Sequence, residues 1–174
     1  MRRGVVLRTF GTVGKVSRTD VVLAVIAVAI VVVALAPRGS GGDGGPPGIA
    51  ADLRRTPGVL NPDVTQANIR STICKHGWTA TIRPPSSYTD DLKRKQMRQY
   101  HETGPMSAYQ EDHFISLELG GHPTDPRNLW PEPYPRAAWV DTNVENTLND
   151  EVCSGEITLA RAQQKESEIK HTQG

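Results

Sequence analysis

The sequence predicts an α+β domain behind a charged and then apolar N-terminus, and three observations carry the prediction. HFISLEL, residues 113–119, mixes β-branched and aromatic residues in a rough apolar/polar alternation, the pattern of a strand. Asn128-Leu129-Trp130 makes a second extended run that Pro131 and Pro133 stop. From Arg136 onward Val140, Val144, Leu148 and Val152 recur in steps of four, the stripe of an amphipathic helix that packs on the strands.

The 174 residues divide into four stretches. Residues 1–20 carry Arg2, Arg3, Arg8, Lys15 and Arg18 against Asp20. Residues 21–36 are an unbroken apolar run of sixteen, just under the roughly 17–25 that span a bilayer, a mismatch that tilt or thinning relieves. With the positive charges ahead of it, the run predicts a single membrane segment with the N-terminus inside and everything after it outside. An uncleaved anchor in the cytoplasmic membrane is the preferred reading. Ala34-Leu35-Ala36 also has the small-x-small form of a signal-peptide site, and cleavage after Ala36 would release the remainder as a secreted protein. Residues 37–58, with GGDGGPPG at their centre, hold too little apolar surface to order themselves and are expected to be a flexible tether to a folded domain over 59–174.

Within that domain Asp63 and Thr65 are expected to cap a short helical turn. TATIRPP, residues 79–85, reads as a strand ended by its prolines, and Thr89 with Asp90 and Asp91 as the start of a helix through Tyr100. Ser154-Gly155 ends the helix that begins at Arg136. A final helix starts at Glu156 or Thr158, turns Leu159 and Ala162 inward, and frays from Lys165. Cys74 and Cys153 show no metal-ligand spacing, and an oxidising compartment favours a disulfide between them.

The chemistry concentrates between Glu111 and Pro133, in EDHFISLELGGHPTDPRNLWPEP, where an Asp-His pair, a Gly-Gly break, a loop rich in turn residues and strand-like runs coincide. The chain shows no internal repeat, no phosphate-binding glycine loop, no HExxH and no setting for a nucleophilic Ser or Cys, which sets those classes aside. A strand carrying Asp-His, a loop, an Asn fifteen residues after the His and then a helix resembles the HNH, or ββα-metal, nuclease motif. DH, LELGG and NLWPEP are similar to the corresponding words of small exported HNH-like proteins of bacteria, over about residues 61–164.

The resemblance implies a ββα-metal core with flanking helices, His113 as the general base that activates water, Asp112 as a ligand of one divalent metal ion (Mg, Mn or Zn), and Asn128 as the amide that fixes the His loop. A third ligand would come from the following helix, where Asp141 and Asn143 both have the right chemistry. His122, on the loop, could also approach. The implied activity is metal-dependent cleavage of phosphodiester bonds in DNA or RNA outside the cell membrane. The logic holds on general grounds: an imidazole titrating near neutrality can accept a proton from water beside a hard cation that neutralises phosphate charge.

Charge cuts the other way. From Val59 to Gly174 there are twelve Lys and Arg against sixteen Asp and Glu, whereas a non-specific nucleic-acid binder is more often basic. Arg83, Lys93, Arg94, Lys95 and Arg98 are the residues expected to meet phosphates, although a solvated helix face would look the same. The acidic balance and the open question of the third ligand support an alternative, an HNH-like envelope protein without catalysis that binds a partner the sequence does not identify.

Overall fold

The computed structural model describes residues 44–174. The basic stretch 1–20, the expected membrane segment 21–36 and the first part of the expected tether lie outside the described residues. Among the described residues no helix is long and apolar enough to cross a membrane.

After a 3₁₀ turn at Gln66–Ser71 the chain forms α1 (Trp78–Ile82), α2 (Ser86–Gln99), β1 (Tyr109–His113), β2 (Leu129–Pro133), α3 (Arg136–Val140), a π turn (Asp141–Glu145), α4 (Asn146–Ser154) and α5 (Leu159–Thr172). This is an α+β arrangement whose two-stranded sheet pairs antiparallel, with Gln110 opposite Glu132 and Asp112 opposite Trp130. Successive side chains of a strand leave on opposite faces. Gln110 and Asp112 therefore turn toward the run from α3 to α4 and toward α5, while Tyr109 and Glu111 turn toward α2, whose Lys93 donates to the Tyr109 carbonyl at 3.1 Å.

The four-step stripe behaves as the sequence predicts. Val140, Val144, Leu148 and Val152 join Phe114, Ile115, Leu119 and Trp130 in one core, with Leu159 and Ala162 of α5 closing it. Each such side chain contributes roughly 1.5–3 kcal/mol by leaving water, so the helix is held by its inner face. Gly155, at φ +88°, ends α4, and the Thr158 hydroxyl caps α5 by accepting from the Arg161 N–H at 3.2 Å.

Several expectations are corrected. The strand is YQEDH rather than HFISLEL, so Asp112 and His113 lie at its end and not its start. The apolar residues 114–119 form a loop and a 3₁₀ turn instead, because their backbone groups are claimed by side chains: Asn128 holds both the N–H and the carbonyl of Ile115, and Glu166 accepts from the Ser116 N–H. β2 runs through Pro131 and Pro133, which a sheet of two edge strands tolerates. TATI is helical, since Trp78 packs against the core and overrides the β propensity of the threonines. α2 starts at Ser86, directly after Pro85, three residues before Thr89. The fold also begins before Val59: Ala51 and Thr56 are buried, and Ala51 N–H donates to the Lys170 carbonyl at 2.9 Å. Far from fraying, α5 continues to Thr172 with Glu166 and Lys170 fully buried.

The expected disulfide is present. Cys74 and Cys153, with Cα atoms 5.6 Å apart, tie the segment behind the 3₁₀ turn to α4 across 79 residues. By loop entropy a closure of that length contributes about 4–5 kcal/mol at most. The double substitution C74S/C153S should lower the thermal midpoint and remove the sensitivity of the wild-type midpoint to reductant, as read by circular dichroism.

Glu111 supplies a second prediction. Both its carboxyl oxygens are buried without hydrogen-bond partners, and burial, eased by nearby Lys93, raises its pKa from 4.5 to about 8. Between pH 4.5 and about 8 the unfolded chain has released this proton while the folded one keeps it, so the folded state loses stability as pH rises through that window. Glu111→Gln should therefore match the wild-type midpoint near pH 4 and exceed it above pH 8, a difference that melting curves across the range would measure.

Candidate functional site

The end of β1, the loop that follows it, the π turn and the end of α1 converge on one cavity of about 220 Å³, lined among others by Arg83, Gln110, Asp112, His113, Asp141 and Glu145. His113 Nε2 lies 3.0 Å from the Pro123 carbonyl oxygen. A carbonyl only accepts, so Nε2 carries the hydrogen and Nδ1 keeps its lone pair. Burial lowers the pKa of this ring, against the opposing pull of the Pro123 carbonyl and Asp112, and favours the neutral form that can take a proton.

Asn128 does not touch the cavity. Its Oδ1 accepts from Ile115 N–H at 2.9 Å, and its Nδ2 donates to the carbonyls of Ile115 at 2.9 Å and His122 at 3.1 Å. The loop that follows His113 is thus clamped at both ends by one buried amide. Gly121 is needed for the clamp: a Cβ there would meet the Ile115 oxygen at 1.7 Å.

Three carboxylates, Asp112, Asp141 and Glu145, offer oxygens that all lie within 4.8 Å of one another and could hold a metal ion. Asp141 and Glu145 begin and end the π turn, where the helix is locally widened, a feature frequent at functional sites. Thr142 and Asn143 donate side-chain hydrogens to the Ala138 and Trp139 carbonyls four residues back, which competes with the regular ladder at that point. That bond turns Asn143 outward, and it is exposed. Glu145, not Asn143, is the residue that the helix brings beside Asp112 and Asp141.

The carboxylates are held by two nitrogen donors. Gln110 Nε2 donates to Asp112 Oδ1 at 3.2 Å and lies 3.1 and 3.3 Å from the two oxygens of Asp141, while its Oε1 accepts from the Tyr134 hydroxyl at 2.9 Å. Lys170, wholly buried on α5, donates from Nζ to Glu145 Oε1 at 2.6 Å, Asp112 Oδ2 at 2.7 Å and the His113 carbonyl at 2.8 Å. Burial disfavours a charged Asp112, yet the Lys170 ammonium outweighs it and holds its pKa below the usual carboxylate value. The other acids nearby go the opposite way. Burial, reinforced by Asp112, raises Asp141 and lifts Glu132 to about 9, and burial raises Glu145 as well. Glu118, on the same cavity wall, is pushed up to about 7 by burial and by Asp141.

Of the basic residues expected at phosphates, the structure brings only Arg83 to this cavity. Lys93 is turned under the sheet beside Glu111, Arg94 pairs with Asp91, Arg98 donates to the Arg94 carbonyl, and Lys95 is an exposed position of the same helix. His122 folds back on its own turn, its Nδ1 accepting from the N–H groups of Thr124 and Asp125.

Sequence reasoning missed Glu145, Gln110 and Lys170. Glu145 stands one helical step from Asp141 and next to Val144 of the stripe, and Lys170 continues the Leu159, Ala162, Glu166 spacing of α5, signals that an inward-facing pattern could have given. Comparison of the chain with family models, with curated proteins and with solved structures returned no match.

If Asp141 and Glu145 hold a cation, calorimetric titration with Mn²⁺ should show at least about tenfold weaker binding for Asp141→Asn and for Glu145→Gln, the loss expected of a carboxylate ligand. Asn143→Ala should bind as the wild type does.

Proposed function

We propose that this domain is a ββα-metal, HNH-like hydrolase that cleaves phosphodiester bonds of nucleic acid, DNA or RNA, outside the cytoplasmic membrane. The observation that carries the reading is the joint placement of His113, its tautomer set by the Pro123 carbonyl, and the Asp112, Asp141 and Glu145 carboxylates on one cavity with Arg83 at its wall. β1, the clamped loop, β2 and the helix from Arg136 to Ser154 supply the strand, strand and helix that such a site needs.

The donor set fits a hard cation. Three carboxylate oxygens and no thiolate suit Mg²⁺ or Mn²⁺ better than Zn²⁺, which favours nitrogen and sulfur ligands. A divalent ion held there would polarise the phosphate and stabilise the leaving oxygen. The chain's own residues do the rest. His113 Nδ1 accepts a proton from water, Arg83 offers a guanidinium to a phosphate oxygen, and Asn128 keeps the loop that carries the Pro123 carbonyl in register with the ring. Asp112 enters ionised because Lys170 holds it so.

A second reading has its own support. Lys170 and Gln110 already satisfy oxygens of all three carboxylates, as they would in an HNH-like scaffold that binds a partner and never takes up metal.

The two readings differ in a cleavage assay. Plasmid DNA and RNA incubated with Mg²⁺, Mn²⁺, Zn²⁺ or EDTA should be cut only with a divalent ion, and His113→Ala should lose cutting by at least about a hundredfold, the usual contribution of a general base, while its circular dichroism is unchanged. Equal cutting by the His113→Ala protein would remove His113 as the base, and no cutting under any ion would leave the scaffold.

A further inference from the structure

The Lys170 side chain crosses from α5 into the site through wholly buried surroundings. Its Nζ is ringed by four oxygens: Glu145 Oε1 at 2.6 Å, Asp112 Oδ2 at 2.7 Å, the His113 carbonyl at 2.8 Å and Glu166 Oε1 at 3.3 Å. An ammonium has three hydrogens, and three of these contacts are short. The ring of carboxylate and carbonyl oxygens is also the donor set that a hard metal ion takes, at distances shorter by a few tenths of an ångström. A second observation points the same way. Glu166 is wholly buried beside this ring and its Oε2 has no hydrogen-bond partner, so the neighbourhood holds an acceptor that the protein's own donors leave unsatisfied.

We propose that Lys170 is a resident cation: its ammonium fills an oxygen-lined cation position behind the exchangeable one, and it acts as a positioning residue that fixes Asp112 and the His113 carbonyl for the reaction proposed above. The role in positioning rests on that reading, whereas the cation position does not. One ammonium bridges the end of β1, the end of the π turn and α5. The His113 backbone and the Asp112 carboxylate therefore cannot shift independently of Glu145. The oxygens left to an exchangeable ion are those that Lys170 does not use, Asp112 Oδ1, the Asp141 carboxyl and Glu145 Oε2, so the wild-type site takes one divalent ion and not two.

Shortening the side chain tests the idea, because it removes the charge and opens the space. Lys170→Ala should be strongly destabilised or unfolded in EDTA, with its buried carboxylates left unpaired. Millimolar Mg²⁺ or Mn²⁺ should raise its midpoint by about 5 °C or more beyond the rise the same ion gives the wild type, and calorimetry should count one more ion per chain than in the wild type. Lys170→Met removes the charge but fills the space, and should gain no such rescue. Recovery of DNA or RNA cleavage with the ion in Lys170→Ala, and not in Lys170→Met, would mark the positioning role.

A Lys170→Ala protein that gains no more from the ion than wild type does, or that stays unfolded at every ion concentration, overturns the cation position. Equal rescue of both variants also overturns it, since the ion would then be acting elsewhere. If the wild type takes up no ion and cuts nothing while Lys170→Ala is still rescued, the nuclease reading falls and the resident cation stands.

Discussion

The Lys170 ammonium is the interaction on which the rest of the site depends. A charge buried without compensation costs several kcal/mol, and here the compensation comes from three separate elements: Asp112 on β1, Glu145 at the end of the π turn and Glu166 on α5 itself. Asp112 could not be buried as an anion without the lysine, and the lysine could not be buried without the oxygens of all three. The pair of shifts follows from that mutual need. Burial works against both charges, yet Asp112 is held below its usual pKa and Lys170 well above its own, because each sees the other at 2.7 Å in a medium of low dielectric.

One charge cannot serve every acid around it, and the excess is met by protons. Glu132 holds its proton to about 9 and Glu166 to about 7, and Glu145 is raised as well. The cavity is thus built from groups of two kinds, ionised Asp112 against the ammonium and neutral or half-neutral acids beyond it. A polar network of this kind specifies geometry more than it adds stability. It explains why the strand can end on two polar residues, Asp112 and His113, that are almost completely buried.

How much of this was legible in the chain depends on where the signal sits. The helix from Arg136 was readable because its inner face is apolar at every fourth residue, and α5 was readable at its start for the same reason. The pairing of Cys74 with Cys153 followed from compartment and spacing. HFISLEL misled because alternation of apolar and polar residues describes a strand and a core-pinned loop equally well. What separates them is that Asn128 and Glu166 take the loop's backbone groups, a tertiary fact. The tail of α5 misled for a related reason: Glu166 and Lys170 read as solvated charges unless each is known to be the other's buried partner. Asp112, His113 and Asn128 were named through the HNH resemblance, with Asp141 and Asn143 left open as the further ligand, while Glu145 required the π turn to place it beside Asp112 and Asp141.

The acidic balance of the domain also takes a different meaning beside the site. On the nuclease reading a phosphodiester approaching this cavity meets Asp112, whose charge Lys170 already answers, and the Asp141 and Glu145 carboxyls, whose burial favours the protonated form, so without an ion Arg83 is the main attraction the cavity offers it. At a separation of 4 Å and an effective dielectric near 20, each unit charge pair is worth about 4 kcal/mol, so the sign of the local charge decides whether substrate can enter at all. The divalent ion is then needed twice, to draw the phosphate in and to act on it. The scattered lysines and arginines of α2, turned away from the cavity, contribute little to either. On that reading metal dependence and substrate binding are a single property of this site. A protein that bound nucleic acid tightly in EDTA would be using another surface.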